Sequence, residues 1–110
     1  METGSILRYG FAMNRNEAIA GLKRHADAVK GMGVTALYLF GSTVRGEASK
    51  ASDLDIFIDH DADGHFSLID LVGVKQLLEE QLAIEVDVTT RDSLHPMLRA
   101  DIESAAVRVF

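Results

Sequence analysis

Residues 52–58 read Ser-Asp-Leu-Asp-Ile-Phe-Ile, with polar and apolar side chains in alternation at the start. Alternation marks a strand with two unlike faces. Asp53 and Asp55 fall on one face, and Leu54, Ile56 and Ile58 on the other. Aspartate is disfavoured in strands, so a pair at i and i+2 beside a core face asks for a reason beyond solvation. Two residues along a strand span roughly 6.6 Å. Carboxylates at that spacing share divalent ions, since paired catalytic metals sit about 3.5–4 Å apart.

Upstream, the β-branched and aromatic run 34–40 reads as a buried strand. It ends at Phe40, and Gly41-Ser42 follows. A turn after a strand aims backbone N–H groups at an anion, and glycine lets the backbone come close. Phosphates at one end and metals at the other make a nucleoside triphosphate site. A short helix is expected to begin near Ser42 or Thr43. Arg45 has two readings: its guanidinium suits phosphate geometry, or it braces the loop by pairing with an aspartate. Glu47 and Lys50 read as solvated loop charges.

Gly41-Ser42-x-x-Arg45-Gly46 followed by Ser52-Asp53-x-Asp55 resembles the signature of the DNA polymerase β-like nucleotidyltransferase superfamily. The short chain resembles its minimal nucleotidyltransferase (MNT) branch, often the antitoxin half of a HEPN/MNT pair. The resemblance covers about residues 14–110. It implies an α/β (α+β) nucleotidyltransferase fold, a small mixed sheet flanked by helices. It also implies a third carboxylate on a later strand. Residues 84–89, Ile-Glu-Val-Asp-Val-Thr, alternate again, and Asp87 fits that position. Glu85 shares its face and is the rival, though a charge there also serves to blunt a sheet edge.

The resemblance assigns catalytic and metal-holding roles to Asp53, Asp55 and Asp87. Nucleotide binding falls to Gly41, Ser42, Arg45 and Ser52. It implies two Mg²⁺ ions, with Mn²⁺ as an alternative, and ATP as substrate. The implied reaction moves AMP to a hydroxyl, a tyrosine of a HEPN toxin that carries an Arg-x(4–6)-His motif. The contrasting class is a binding module that neutralises its partner by contact alone. Carboxylates gathered around metals favour the enzyme, because a pure binder has no need to bury charge.

The rest of the chain sets bounds. At 110 residues it is expected to be one domain, too short for a second substrate-binding unit. The acceptor site is therefore shallow or supplied by a partner. Apolar residues make up 47%, which indicates a globular chain. No apolar run approaches ~18 residues, and the N-terminus lacks a signal-peptide core, so no membrane association is expected. Cysteine is absent, which excludes disulfides and thiolate zinc sites and fits the cytoplasm. A net charge of −6 argues against sequence-independent nucleic-acid binding.

Residues 1–13, with Leu7, Tyr9 and Phe11 alternating, suggest a short strand or an ordered arm. Asn14 with Glu17 reads as a helix start, followed by Ile19, Leu22, Ala26 and Val29 at helical spacing. Gly31 and Gly33 stop that helix. His25 beside the stripe reads as a packed or surface histidine. Ser67 with Asp70 caps a second helix over 67–82, with Leu71, Val74, Leu78 and Leu82 inward. Glu79-Glu80 reads as a solvated face. The last segment, from Ser93-Leu94-His95-Pro96, suggests a helix carrying Leu98, Ile102, Ala105, Ala106 and Val109. Phe110 invites docking on the sheet or on a partner.

One competing pattern is a calcium EF-hand loop, Asp59-x-Asp61-x-Asp63-Gly64 with Asp70 at position 12. An EF-hand needs a helix where residues 54–58 alternate as a strand. The plainer reading is an acidic turn between strand and helix.

Overall fold

The computed structural model describes residues 14–45 and 54–110. Asn14 opens helix α1 (Arg15–Arg24) with a reciprocal cap. Its Oδ1 accepts from the Glu17 N–H at 2.8 Å, and Glu17 Oε1 accepts from the Asn14 N–H at 3.1 Å. Both N–H groups would otherwise lack partners. The expected single helix is broken at His25 (φ −107°, ψ 14°) and resumes as α2 (Ala26–Lys30). The bend keeps its peptide groups paired. The His25 N–H donates to Leu22 C=O at 3.1 Å, and its C=O accepts from Val29 at 3.0 Å. Gly33, at φ 107°, turns the chain into strand β1 (Val34–Phe40).

Beyond β1 come the short helix α3 (Ser42–Arg45), strand β2 (Leu54–His60), helix α4 (Leu68–Leu82) and strand β3 (Val86–Thr90). A 3₁₀ turn (Arg91–Ser93), helix α5 (Arg99–Ala105) and strand β4 (Val107–Arg108) follow. The sheet order is β3-β2-β1-β4. β1 runs antiparallel to β2 and β4, and β2 runs parallel to β3. A parallel pair needs a crossover, which α4 supplies. This is the small mixed sheet flanked by helices that the sequence leads one to expect.

One sheet face carries the core. Leu37, Leu39, Leu54, Ile56, Ile58 and Val86 are buried there against Ala18, Leu22, Val29, Val74 and Leu78 of the helices. α1 and α4 approach through Gly21, where a Cβ would stand 2.8 Å from Leu82 Cδ2. Carbons do not pack that closely, so a side chain there would require the Leu82 side chain to shift. α4 begins at a second reciprocal cap, with Ser67 N–H donating to Asp70 Oδ2 at 2.9 Å. It ends at Ala83, which holds a left-handed φ of 56°.

The C-terminus departs from the helical expectation. α5 stops at Ala105, and Val107–Arg108 pairs with Leu39 and Tyr38 of β1. The pairing continues outward. The Leu37 N–H donates to Phe110 C=O at 3.1 Å, and the Val109 N–H to Leu37 C=O at 2.8 Å. Val109 is buried by a strand, not by a helix face. The β-branched alternation of 107–109 wins once an open sheet edge is available. Phe110 accordingly docks on its own sheet, packed against the core and 5.3 Å below the Lys30 ammonium. Pro96 precedes the helix by a turn, since α5 begins only at Arg99.

The segment after β2 is not an EF-hand. A strand enters it. Asp59 pairs with Arg91, Asp61 accepts from the Asp63 N–H at 3.1 Å, and Asp70 serves the α4 cap. These carboxylates are already engaged in local and long-range bonds, so the plainer turn reading stands. Among the described residues no helix is long and apolar enough to cross a membrane.

Candidate active site

The face of the sheet away from the core carries Tyr38 and Phe40 from β1, Asp55, Phe57 and Asp59 from β2, and Asp87 from β3. This follows from the two-residue period of each strand. Asp55 and Asp87 are direct partners across the parallel β2–β3 pair. Neighbouring strands lie about 4.8 Å apart, so both carboxylates leave the sheet at one level. Asp55 is half-buried and Asp87 exposed. On the other side of β2, Phe40 is the partner of Asp55. The next residue, Gly41, holds φ 84°. A Cβ at Gly41 would lie 3.1 Å from Asp55 Cγ and 3.2 Å from its Cβ, with a carboxylate oxygen closer still. Glycine is required twice here, by its backbone angle and by the carboxylate beside it.

Of the residues named from the sequence, the structure brings Gly41, Asp55 and Asp87 together. Ser42 opens α3 and Arg45 closes it. The side chains of Ser42 and Arg45 lie outside the described structure, as do Gly46, Ser52 and Asp53. Glu85 precedes β3, and its C=O accepts from the Leu54 N–H at 3.0 Å. It lies two residues before Asp87, beyond the first pair of the β2–β3 ladder. Among the described residues no group of three potential ligands forms a metal cluster. Asp55 and Asp87 supply hard oxygen donors at one level, the type that suits Mg²⁺ or Mn²⁺ completed by substrate phosphates.

Two residues that sequence reasoning passed over stand out. Glu79 is not simply a solvated charge. Its Oε2 accepts from the Val86 N–H at 3.0 Å and from Lys75 Nζ at 2.6 Å, while Lys75 Nζ also donates to Val86 C=O at 2.9 Å. The Lys75 hydrogen bond, then that from Val86, holds the Glu79 carboxyl below its ordinary range, and Glu79 in turn raises the Lys75 ammonium. The spacing of Lys75 and Glu79 at i, i+4 signals the pair, but nothing in the sequence signals Val86. Arg91 is the other. It binds Asp59 through two nitrogens at 2.8 and 3.0 Å and Glu103 at 2.8 Å. Its guanidinium lies 4.9 Å from both the Tyr38 and Phe57 ring centres. These bonds push its pKa up. The cluster closes the far end of the open face under the C-terminal segment.

The profile of the nucleotidyltransferase domain family matches residues 22–109. A provisionally named protein adenylyltransferase of Methanocaldococcus jannaschii is 46% identical over 77 residues, covering 70% of this chain and 81% of that protein. The solved structure of a minimal nucleotidyltransferase superposes with a TM-score of 0.66 at 30% identity, over 81% of this chain and 93% of the other. The MNT–HEPN complex of Shewanella oneidensis, whose HEPN toxin is tri-AMPylated, gives a TM-score of 0.60 at 17% identity over 84% and 71%. That last likeness is one of fold. With the profile spanning most of the chain, and a glycine turn facing strand-borne aspartates within it, the protein belongs to the nucleotidyltransferase domain family, in its minimal branch.

Proposed function

We propose that this nucleotidyltransferase moves AMP from ATP to a tyrosine hydroxyl of a helical, HEPN-type partner and thereby acts as its antitoxin. The observation that carries the reading is the Asp55–Asp87 pair held level across β2 and β3 beside the Gly41 turn. Support for AMP and for a protein acceptor comes from the adenylyltransferase relative and from the fold shared with the antitoxin of the AMPylated complex.

The chain's parts divide the work. The Gly41 turn and the first peptide N–H groups of α3, at Ser42, have no partners of their own within the helix and receive the β- and γ-phosphates. Arg45, at the end of α3, adds a positive charge to the same loop. Asp53, Asp55 and Asp87 hold Mg²⁺ or Mn²⁺. What such ions supply when bound is charge neutralisation on the departing pyrophosphate and a lowered pKa of the acceptor hydroxyl. The tyrosine oxygen forms a bond to the α-phosphorus, the bond from that phosphorus to the bridging oxygen breaks, and pyrophosphate leaves. An Asp87 carboxylate oxygen takes the hydroxyl proton. AMP on the partner places a bulky anion beside its RNA-cutting site, blocking RNA by charge and by volume.

Co-expression with the partner, followed by intact-mass spectrometry, tests this. The partner should gain AMP with the wild-type chain and none with Asp55→Asn. Aminoglycosides and free nucleotides should accept negligible AMP, because positioning supplies about 7–11 kcal/mol of a barrier and this chain alone offers little surface to provide it. An unmodified partner that is neutralised equally by both proteins would establish contact, not catalysis, as the mode of action.

A further inference from the structure

Among the described residues β3 is an edge strand. In a parallel pair, alternate residues turn their peptide groups toward the neighbouring strand. Here the Glu85 C=O faces β2 and accepts from Leu54, so the Val86 N–H and C=O point away from the sheet. Both are nonetheless bonded, the N–H to Glu79 Oε2 at 3.0 Å and the C=O to Lys75 Nζ at 2.9 Å. The 2.6 Å bond between Lys75 and Glu79 closes the ring. Two side chains of one helix therefore replace the missing neighbour strand at a single residue, and that residue immediately precedes Asp87. Val88 and Thr90 are the next residues of β3 whose peptide groups point outward. The position has no obvious value for the core, since the Glu79 and Lys75 side chains are 29% and 45% exposed.

We infer that Lys75 and Glu79 are a positioning pair for nucleotidyl transfer: by clamping both peptide groups of Val86 they keep Asp87 level with Asp55. The inference rests on the reading of Asp87 as a metal ligand. An unclamped edge residue can tilt or slip, and a carboxylate displaced by an ångström no longer completes the donor set. Lys75 adds a positive charge near Asp87 and Glu85, which eases the crowding of carboxylates at this corner.

Mn²⁺ binding, followed by electron paramagnetic resonance with a non-hydrolysable ATP analogue present, tests the clamp together with amide hydrogen exchange at Val86. Two variants keep net charge fixed, and the first of them also leaves the Lys75 charge near Asp87 in place. Glu79→Asp shortens the acceptor below its reach to Val86, and the double variant Lys75→Met with Glu79→Met removes both charges at once. Each should speed Val86 exchange and weaken Mn²⁺ roughly 10- to 100-fold, the usual cost of losing a group that orients a ligand. Lys75→Arg should retain most of the affinity. Measured well below the melting midpoint, a merely structural clamp would leave Mn²⁺ affinity within twofold of wild type despite faster exchange, and that result would overturn the inference. Asp87→Asn separates the two claims. Wild-type Mn²⁺ affinity in Asp87→Asn overturns the ligand reading itself. Weakened binding there, with none in the clamp variants, overturns only the clamp. Should the double variant fail to fold, Glu79→Asp carries the same decision.

Discussion

Asp55 and Asp59 stand on the same face of the same strand, yet they are built into opposite settings. At Asp59 the chain supplies a guanidinium: Arg91 reaches it from the far end of β3, lies over Tyr38 and Phe57, and also grips Glu103. At Asp55 the chain supplies another carboxylate at the same level and a glycine turn pressed against the first. One end of the face is self-compensated and secures the C-terminal segment. The other sets two carboxylates at one level beside close backbone, the arrangement on which the proposed nucleotide site rests. Residue type does not separate the two ends; what each strand neighbour presents does.

The largest effects should come from the carboxylate end. Asp55→Asn or Asp87→Asn should lower nucleotidyl transfer by at least about 100-fold, several kcal/mol of lost transition-state stabilisation, with thermal stability little changed. Asp53→Asn should match them. Activity within tenfold of wild type in Asp55→Asn would break the contrast between the two ends. If Glu85→Gln is the inactive variant and Asp87→Asn is not, the third carboxylate is misassigned. Gly41→Ala should also lose transfer, because its Cβ meets the Asp55 carboxylate at a φ that alanine resists.

The arginine end should show the reverse pattern. Arg91→Met removes ion pairs to Asp59 and Glu103 and the contacts over two rings. With cation–π contacts and partly exposed ion pairs each worth up to about 1 kcal/mol, the expected loss is about 2 kcal/mol. Urea denaturation reads it directly. Transfer measured well below the melting midpoint should stay near wild type. A variant that keeps its stability but loses activity would show that the far end belongs to the site after all.

The two ends also differ in how much of them the sequence displays. The strands carrying Asp55 and Asp87 are legible because each alternates over consecutive residues, a local signal. The Asn14 and Ser67 caps are legible for the same reason. Arg91 is not, because its partner Asp59 is 32 residues away and only the parallel β2–β3 pairing brings them together. Glu79 looks like surface charge until the edge of β3 is seen beside it. The C-terminal strand is hidden differently. Residues 107–109 fit helical spacing and strand alternation alike, and only the pairing with β1 decides between them.

Ala83 offers a smaller effect at the carboxylate end. It closes α4 in a left-handed conformation, which costs an L-residue with a Cβ about 1 kcal/mol or somewhat more. Ala83→Gly should therefore raise stability by roughly 1 kcal/mol, or several degrees in the melting midpoint. The same change sits three residues before Val86, so transfer and Mn²⁺ affinity should be preserved if the clamp, and not the turn, sets the position of Asp87. A stabilised variant with weakened Mn²⁺ binding would give that role to the turn.

The smallest effect belongs to the acid limb of stability and sharpens the contrast from the Asp59 side. Hydrogen bonds from Arg91, opposed by burial, hold the Asp59 carboxyl below its ordinary value of 3.8. The unfolded chain therefore takes up this proton near pH 3.8, and the folded chain only at lower pH. Between those values the unfolded state binds more protons, so stability rises with pH there. The contribution is complete above the unfolded value and is lost as pH falls through the folded one. Asp59→Asn should be less stable than wild type at pH 7 by about 0.5–1 kcal/mol, as for other partly exposed pairs. Urea midpoints taken from pH 7 down to 3 should show the two proteins converging below pH 3.8. Glu103 is also held low, by Arg91 and then Arg99, and remains in both proteins, so some acid slope persists in Asp59→Asn. Curves that stay parallel across the whole range would mean that Asp59 stabilises the fold by shape and not by charge, and the self-compensated end would lose its electrostatic basis.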